Sequence, residues 1–259
     1  MRHLFLIAAS IISITLYGQD TLKEKSTTAD FKRLLIGVNV SPDYCYRSLQ
    51  NNNGSSTSSN IIDLRNKNEG PKFGYTAGLN VCYNISKLLG IEAGLQYSNK
   101  GFMNSLKNSE LNFGDPIAPR NGIVYPNGGI TILIPSKFIY NYIYLDIPVR
   151  AIFSFGRRRI QFLASAGLTT NILLKATQTN IFENVNGSNK RETNDQIYNF
   201  KSLNISPLIS AGIDYRISNK INLRIEPTIR YGILKIIDTP VTAHLWNAGL
   251  NISCYYTFK

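Results

Sequence analysis

The stretch that decides the fold is YIYLDIPVRAIF, residues 142–153. Large apolar side chains occupy every second position from Ile143 to Phe153, whereas Asp146 and Arg150 lie on the opposite parity. A period of two is typical of a β-strand, whose successive side chains point to opposite faces of the sheet. One face of this strand therefore suits an apolar medium, and the other must accommodate an aspartate and an arginine.

Alternation of this kind recurs along the chain. No segment shows the 3.6-residue period of an amphipathic helix. The apolar runs are rich in Ile, Val, Leu, Tyr or Phe and are bounded by Gly, Asn, Ser or Pro, which is typical of antiparallel strands. The eight predicted strands are residues 34–46, 72–85, 88–102, 137–154, 159–175, 202–217, 221–237 and 243–258.

The connections between these strands alternate in length. Long linkers (47–71, 103–136 and 176–201) follow the first, third and fifth strands, whereas short turns follow the second, fourth and sixth. Long and short connections at opposite ends are typical of an outer-membrane barrel. We therefore predict an all-β fold, an eight-stranded antiparallel up-and-down transmembrane β-barrel with short periplasmic turns and long extracellular loops.

The long linkers are predicted to be solvated loops. The stretches 51–60 and 184–195 are polar and of low complexity. Linker 103–136 is less polar, and we expect it either to fold over the barrel mouth or to add a short hairpin.

The two faces of the predicted strands have opposite character, and parity alone leaves two arrangements open. In a soluble barrel the apolar face would fill the interior, whereas in a membrane barrel that face meets lipid and the polar face fills the lumen. The length of the strands favours the membrane barrel, because roughly nine to eleven residues suffice to cross a bilayer. Aromatic residues near the strand ends also favour it, as interfacial girdles: Tyr44, Tyr46, Tyr83, Tyr97, Phe102, Phe138, Tyr140, Tyr215, Tyr231, Trp246, Tyr255 and Tyr256.

In the membrane arrangement the charged strand residues face a narrow interior. We predict that they form a structural ion-pair network there, because a lone buried ion is very costly. Pro148, Pro207 and Pro227 also lie inside predicted strands, and we expect them at bulges or near strand ends. The predicted network consists of Glu92, Asp146, Arg150, Arg159, Asp214, Arg216, Arg224, Glu226 and Arg230.

The N-terminal sequence MRHLFLIAASIISITLYGQD combines an early Arg2 with an apolar core from Leu4 to Leu16 and a small Gly18. This pattern predicts a secretory signal peptide at 1–18, followed by a short periplasmic segment at 19–33 and the barrel domain at 34–259. The final CYYTFK resembles the signal that the outer-membrane assembly machinery reads. The predicted location is the outer membrane.

The composition argues against catalysis, metal binding and nucleic-acid binding. The formal net charge is +12, but the predicted export and the scatter of the basic residues exclude nucleic acid as the expected partner. The three cysteines form no CxxC or Cys/His cluster, so we predict no metal site and no cofactor. His244 lacks a serine partner, and we interpret it as an interfacial residue of a protein that is not an enzyme.

Several segments resemble a known family, the small bacterial outer-membrane β-barrel domain proteins often described as porin-family or PorT-type. The resemblance implies an outer-membrane barrel, and one branch of that family takes part in protein export. An eight-stranded lumen is just filled by side chains, so the word porin implies no channel here. The segments are LLIGVNVSP (34–42), FGYTAGLNVCYNIS (73–86), LGIEAGLQYSNKGF (89–102), YLDIPVRAIF (144–153) and EPTIRYG (226–232).

The first functional hypothesis is a non-enzymatic integral outer-membrane protein with a structural, binding or adhesion role through its loops. The alternatives are a PorT-like accessory of transport or protein secretion, a secreted soluble ligand-binding barrel, and an outer-membrane hydrolase. As partners we expect outer-membrane lipid and an unidentified periplasmic or extracellular protein. We expect the barrel itself to be a monomer.

Overall fold

The computed structural model describes residues 33–105, 135–156, 159–183, 189–196, 200–237 and 239–258. The predicted signal peptide, almost all of the segment 19–33 and most of linker 103–136 lie outside the described residues. The described residues belong to one compact unit, Lys32–Lys259.

The described elements are nine strands and one helix. Eight strands close into an antiparallel ring in the order β1-β2-β3-β4-β5-β7-β8-β9, and β6 adds to the outer half of β5. The predicted eight-stranded antiparallel barrel is confirmed. The elements are β1 (Leu34–Asn51), α1 (Ser56–Asn68), β2 (Glu69–Asn84), β3 (Leu89–Ser105), β4 (Pro135–Phe155), β5 (Ile160–Glu183), β6 (Asn189–Asp195), β7 (Leu203–Arg216), β8 (Ile221–Tyr231) and β9 (Val241–Thr257).

The strand faces are arranged as a membrane barrel requires. On β1, Val38 is 57% exposed, whereas its neighbour Asn39 is 5% exposed. On β4, Val149 is 52% exposed and Asp146 is 0% exposed. The apolar face therefore points outward and the polar face fills the interior, which excludes the soluble-barrel alternative. Among the described residues, no helix has the length and apolar character needed to cross a bilayer.

Apolar side chains close the interior at both ends, and the polar interior lies between these two layers. The layer at the short-turn end consists of Leu35, Cys82, Ile152, Leu163 and Tyr255. The layer at the outer end consists of Phe102, Tyr142, Tyr144, Ile236, Ala243 and Leu245. Phe102, Phe138 and Tyr255 are buried, so their assignment to an interfacial girdle is wrong.

The prediction of a loop throughout 47–71 is wrong, because β1 continues to Asn51 and helix α1 follows. Ser55 caps the helix, and its Oγ accepts a hydrogen bond from the Ser58 N–H at 3.1 Å. At the other end the Glu69 N–H donates to the Arg65 carbonyl. The helix is polar around most of its circumference, so it leaves no hydrophobic period in the sequence.

Two other boundaries differ from the prediction. Within 176–201, β5 continues to Glu183 and pairs with β6 from Thr177↔Asp195 onward, so this linker contains a hairpin. The seventh predicted strand, 221–237, ends as regular strand β8 at Tyr231. Beyond that point the bonding is irregular: the Ile233 N–H bonds to the Ile205 carbonyl on β7, and the Ile236 N–H bonds to the Ala243 carbonyl on β9.

The three prolines lie in continuous register, so the expected bulges at these positions are wrong. Each proline removes only its own N–H donor, and the flanking residue pairs hold the register. The register shifts in the β4–β5 pair lie between Pro135 and Lys137 and between Ile143 and Tyr144, so neither is at Pro148. The proline pairs are Pro148↔Thr169, Pro207↔Leu168 and Pro227↔Leu250.

Candidate functional site

Arg150 on β4 lies at the centre of an ion-pair cluster that crosses the barrel interior. Its Nε and Nη2 donate to Glu92 Oε1 at 2.9 and 2.7 Å. Its Nη1 and Nη2 donate to Glu226 Oε1 and Oε2 at 3.0 and 2.9 Å, and Nη1 also donates to the hydroxyls of Ser165 and Ser210. Because Glu92 lies on β3 and Glu226 on β8, the guanidinium connects opposite sides of the ring.

Arg224 on β8 extends this cluster toward the short-turn end. Its Nη1 donates to Glu92 Oε2 at 2.9 Å, and its Nε and Nη2 donate to Asp214 Oδ2 at 3.3 and 3.2 Å. The guanidinium carbon lies 4.4 Å from the ring centroid of Tyr255, whose hydroxyl donates to Glu92 Oε2 at 2.9 Å. These charge-assisted hydrogen bonds and the cation–π contact offset the cost of removing the ions from water.

Asp146 belongs to a separate group nearer the outer end. Lys100 Nζ lies 2.8 Å from Asp146 Oδ2, and the Ser98 hydroxyl donates to the same oxygen at 2.8 Å. Asn171 Nδ2 donates to Asp146 Oδ1 at 2.6 Å. The partner of Asp146 is therefore a lysine outside the predicted set, although Lys100 shares the inward parity of Gln96 and Ser98.

Arg230 faces Asp43, which also lies outside the predicted set. Asp43 accepts hydrogen bonds from the hydroxyls of Ser41 and Thr76. Arg230 Nη1 lies 3.7 Å from Asp43 Oδ1, beyond hydrogen-bonding distance. This contact is an electrostatic one between two buried side chains.

Arg159 and Arg216 are placed wrongly in the predicted network. Arg159 is exposed just before β5, and Arg216 is the half-buried last residue of β7. Within the described ranges, no ion pair joins either arginine to the cluster around Arg150. Both follow the inward parity, but they lie beyond the apolar layer that closes the short-turn end.

The buried charges of the described chain balance, with six acids and six bases. Five of the twelve lie outside the predicted network. The inward parity of the predicted strands could have identified Asp43, Lys72 and Lys100, whereas Arg47 and Glu69 lie in the linker 47–71, and the bulge between Pro71 and Tyr75 breaks the parity before Glu69. Because the numbers are equal, the formal charges of the buried side chains sum to zero. The acids are Asp43, Glu69, Glu92, Asp146, Asp214 and Glu226, and the bases are Arg47, Lys72, Lys100, Arg150, Arg224 and Arg230.

Little empty space is left in the outer part of the polar interior. A cavity of about 10 Å³ lies beside Lys100, Tyr144 and Asn171, which is close to the smallest space that holds one water molecule. Side chains rather than solvent therefore occupy this part of the lumen.

Glu69 fixes helix α1 against the outer end of the barrel. Arg47 Nε donates to Glu69 Oε2 at 2.6 Å, and Arg65 Nε donates to Glu69 Oε1 at 2.6 Å. Arg47 Nη1 reaches Asn66 Oδ1 on the helix at 2.9 Å, and the Tyr46 hydroxyl donates to the Glu69 carbonyl at 2.9 Å. Removing the Glu69 carboxylate would break both ion pairs.

We expect Glu69→Ala to loosen α1 while the barrel stays folded. Hydrogen exchange of the α1 amides should accelerate by about tenfold or more, since each 1.4 kcal/mol lost from local stability changes the open population tenfold. Exchange measured by mass spectrometry tests this prediction, with Asp63→Asn on the exposed side of α1 as the control. Unchanged exchange in Glu69→Ala would show that these ion pairs do not hold the helix.

His244 lies on the outer surface of β9. Its Nδ1 is 3.2 Å from the Gly232 carbonyl oxygen, and its ring is parallel to that of Tyr231, with 6.2 Å between the centroids. Ser48 is opposite His244 in the β1–β9 pair, but its hydroxyl bonds to the Tyr231 hydroxyl at 3.0 Å. His244 therefore packs as an interfacial ring beside Tyr231, and it does not contact the Ser48 hydroxyl as a general base would contact a nucleophile. In the described part of the chain, no three His, Cys, Asp or Glu side chains are grouped to hold a metal ion.

A comparison with protein families shows where the chain belongs. The family described as outer membrane protein beta-barrel domain matches residues 18–238. The chain is a member of this family. Membership places the barrel in the outer membrane, in agreement with the outward-facing apolar side chains. No curated protein sequence matches the chain.

Solved structures of small outer-membrane barrels also match. The outer membrane protein OprG from Pseudomonas aeruginosa is 10% identical, with 88% of this chain and 96% of that chain covered and a TM-score of 0.45. Ail, the attachment invasion locus protein of Yersinia pestis, is 10% identical over 88% and 99% of the two chains, with a TM-score of 0.36. The outer membrane protease OmpT from Escherichia coli is 10% identical over 91% and 99%, with a TM-score of 0.39. These proteins are different in kind, and none of them assigns a role to this chain.

Proposed function

We propose that this chain is a non-enzymatic outer-membrane protein that acts through its extracellular surface and conducts no solute. The observation that carries the proposal is the filled interior. Arg150 connects Glu92 to Glu226 across the lumen, and apolar layers lie above and below this cluster. A barrel of this kind serves as a rigid anchor, and the parts available for binding are its outer connections.

The outer end offers a cleft of about 560 Å³ for such binding. The cleft is open, and it lies between the end of β1 with the residues that follow and the β8–β9 connection. Its volume is in the range of small-molecule and short-segment sites. Its lining is mainly amide, hydroxyl and short apolar side chains: Gln50, Asn52, Asn53, Ile233, Leu234, Lys235, Thr239, Pro240, Thr242 and His244.

We expect the purified protein to give no stepwise conductance in a planar lipid bilayer. An ion in transit would have to break buried ion pairs and cross two apolar layers, which is far costlier than passage through a water-filled lumen. Insertion is verified by heat-modifiable gel migration of the reconstituted protein. Regular single-channel openings in the wild-type protein would contradict the proposal.

Attachment assays test the binding role. A non-adherent host that displays this chain should attach to protein-coated surfaces, and Asn53→Trp, which places a large ring in the cleft, should abolish attachment. Asn194→Trp on the exposed β6 is the control and should attach like the wild type. The role of the cleft would be contradicted if cells that display the wild-type chain did not attach, or if cells that display Asn53→Trp still attached. Loss of secreted proteins in a deletion strain without an attachment defect would favour the secretion accessory instead.

A further inference from the structure

The short-turn end of the barrel carries charges of one sign on its exterior. We use the name basic rim for its cationic side chains, Arg33, Lys87, Arg159, Arg216 and Lys220; Arg216 is half-buried and the others are exposed. The described acids nearest this end are Glu92, Asp214 and Glu226, and all three are buried in the cluster around Arg150 and Arg224. Among the described residues, no acidic side chain therefore faces outward beside the basic rim.

The outer end differs in this respect. There two exposed lysines have exposed acidic partners, since Lys175 Nζ lies 2.9 Å from Asp195 Oδ1 and Lys190 Nζ lies 2.7 Å from Glu192 Oε1. The charges of the hairpin formed by β5 and β6 are thus partly compensated within the chain. Those of the basic rim have no comparable partner in the described chain.

Each short turn places its cation directly beside exposed apolar side chains. In the β2–β3 turn Lys87 lies between Ile85 and Leu88, and in the β7–β8 turn Lys220 lies between Ile217 and Ile221. In the β4–β5 turn Arg159 precedes Ile160 and follows Phe155 at a short distance in sequence. All six apolar side chains are exposed and continue the lipid-facing surface of the strands. The cations are therefore at the level where acyl chains give way to headgroups.

Two of the turns share one construction that leaves the lysine free to interact. Ser86 Oγ accepts hydrogen bonds from the N–H groups of Leu88 and Leu89 at 3.2 and 3.0 Å. Ser218 Oγ accepts from Lys220 and Ile221 at 3.2 and 3.1 Å. The serine satisfies the turn amides in both cases, so an anion at these turns would meet the lysine ammonium groups.

We propose that the basic rim binds the phosphate groups of anionic phospholipids in the adjoining leaflet of the bilayer. Clustered cations beside an apolar surface attract anionic lipid more strongly than zwitterionic lipid, and the attraction is screened by salt. The apolar neighbours of each cation select a lipid over a soluble anion, because they already lie in the membrane. This inference is independent of what the extracellular cleft binds.

Electron paramagnetic resonance of spin-labelled lipids measures this preference in the folded protein. In phosphatidylcholine vesicles, labelled phosphatidylglycerol should associate with the wild-type barrel about threefold more strongly than labelled phosphatidylcholine at low ionic strength, and the ratio should fall toward one in 1 M salt. The triple variant Lys87→Gln, Arg159→Gln, Lys220→Gln should show a ratio near one at low salt. These side chains are exposed, and heat-modifiable migration verifies that the variant is folded.

The control variant Lys67→Gln, Lys175→Gln, Lys190→Gln removes three cations from the outer end and should keep the wild-type ratio. The proposal would be overturned if the wild-type ratio were one, or if the triple variant kept the preference for phosphatidylglycerol. It would also be overturned if the control variant lost that preference as fully as the triple variant. So would a triple variant that keeps the lipid preference but no longer sediments with purified peptidoglycan, because the rim would then serve an anionic polymer.

Discussion

Replacing Arg150 by methionine is expected to destabilise the barrel by about 3–5 kcal/mol, because it leaves two buried carboxylates without their shared partner. Glu92 keeps Arg224 and Tyr255, but Glu226 loses the only ion pair that it makes within the described part of the chain. Equilibrium unfolding in urea from lipid vesicles, followed by the fluorescence of Trp246, measures the change.

The double variant Arg150→Met, Glu226→Gln separates the loss of the ion pair from the loss of packing. It should be more stable than Arg150→Met alone, since the uncompensated charge is gone. Lys190→Met removes an exposed ion pair with Glu192 and should cost less than about 1 kcal/mol. If Arg150→Met were no more destabilising than Lys190→Met, the buried cluster would not be an important part of the fold.

Gly249→Ala is expected to cost about 1–3 kcal/mol, because the interior beside β9 has no room for a methyl group. A Cβ at this position would lie 1.8 Å from Asp43 Oδ1, 2.6 Å from Ser41 Oγ and 2.8 Å from the Pro42 carbonyl oxygen. The carboxylate would have to move, which strains the packing and weakens its hydrogen bonds from Ser41 and Thr76. The same unfolding measurement applies.

Gly70→Ala is the matched control for Gly249→Ala. Gly70 is also in a strand, and a Cβ there would meet nothing within 4 Å. Its substitution should change the stability by less than about 0.5 kcal/mol. Equal effects of the two substitutions would show that Asp43 and its neighbours are not tightly packed.

The sequence was sufficient to predict the barrel because a period of two is visible in every strand of the ring. Asp146 and Arg150 between outward Ile147 and Val149 show both faces at once, and the alternation of short and long connections orders the strands. The ends of the helix and strands were harder to predict from the sequence. Helix α1 has only the Ser55 cap as a signal, and β6 has no apolar alternation and depends on its pairing with the outer half of β5.

The contacts within the candidate site could also be predicted only in part. Parity identifies which charged side chains point inward, but not which of them meet across the lumen. Arg150 bonds to Glu226, which is 76 residues away in sequence, whereas Asp146, four residues from Arg150, bonds to Lys100. Parity also says nothing about where the lumen ends, which is why Arg159 and Arg216 were assigned to its interior.

The most direct measurement uses a single tryptophan on the outward face of β3. In a Trp246→Phe background, Leu95→Trp places the only tryptophan of the sequence at a position that is 52% exposed in the middle of the strand. Lipids with brominated acyl chains should quench its fluorescence strongly, and aqueous acrylamide should not. Quenching by acrylamide without quenching by the brominated lipids would show that this face meets water and would contradict the membrane barrel.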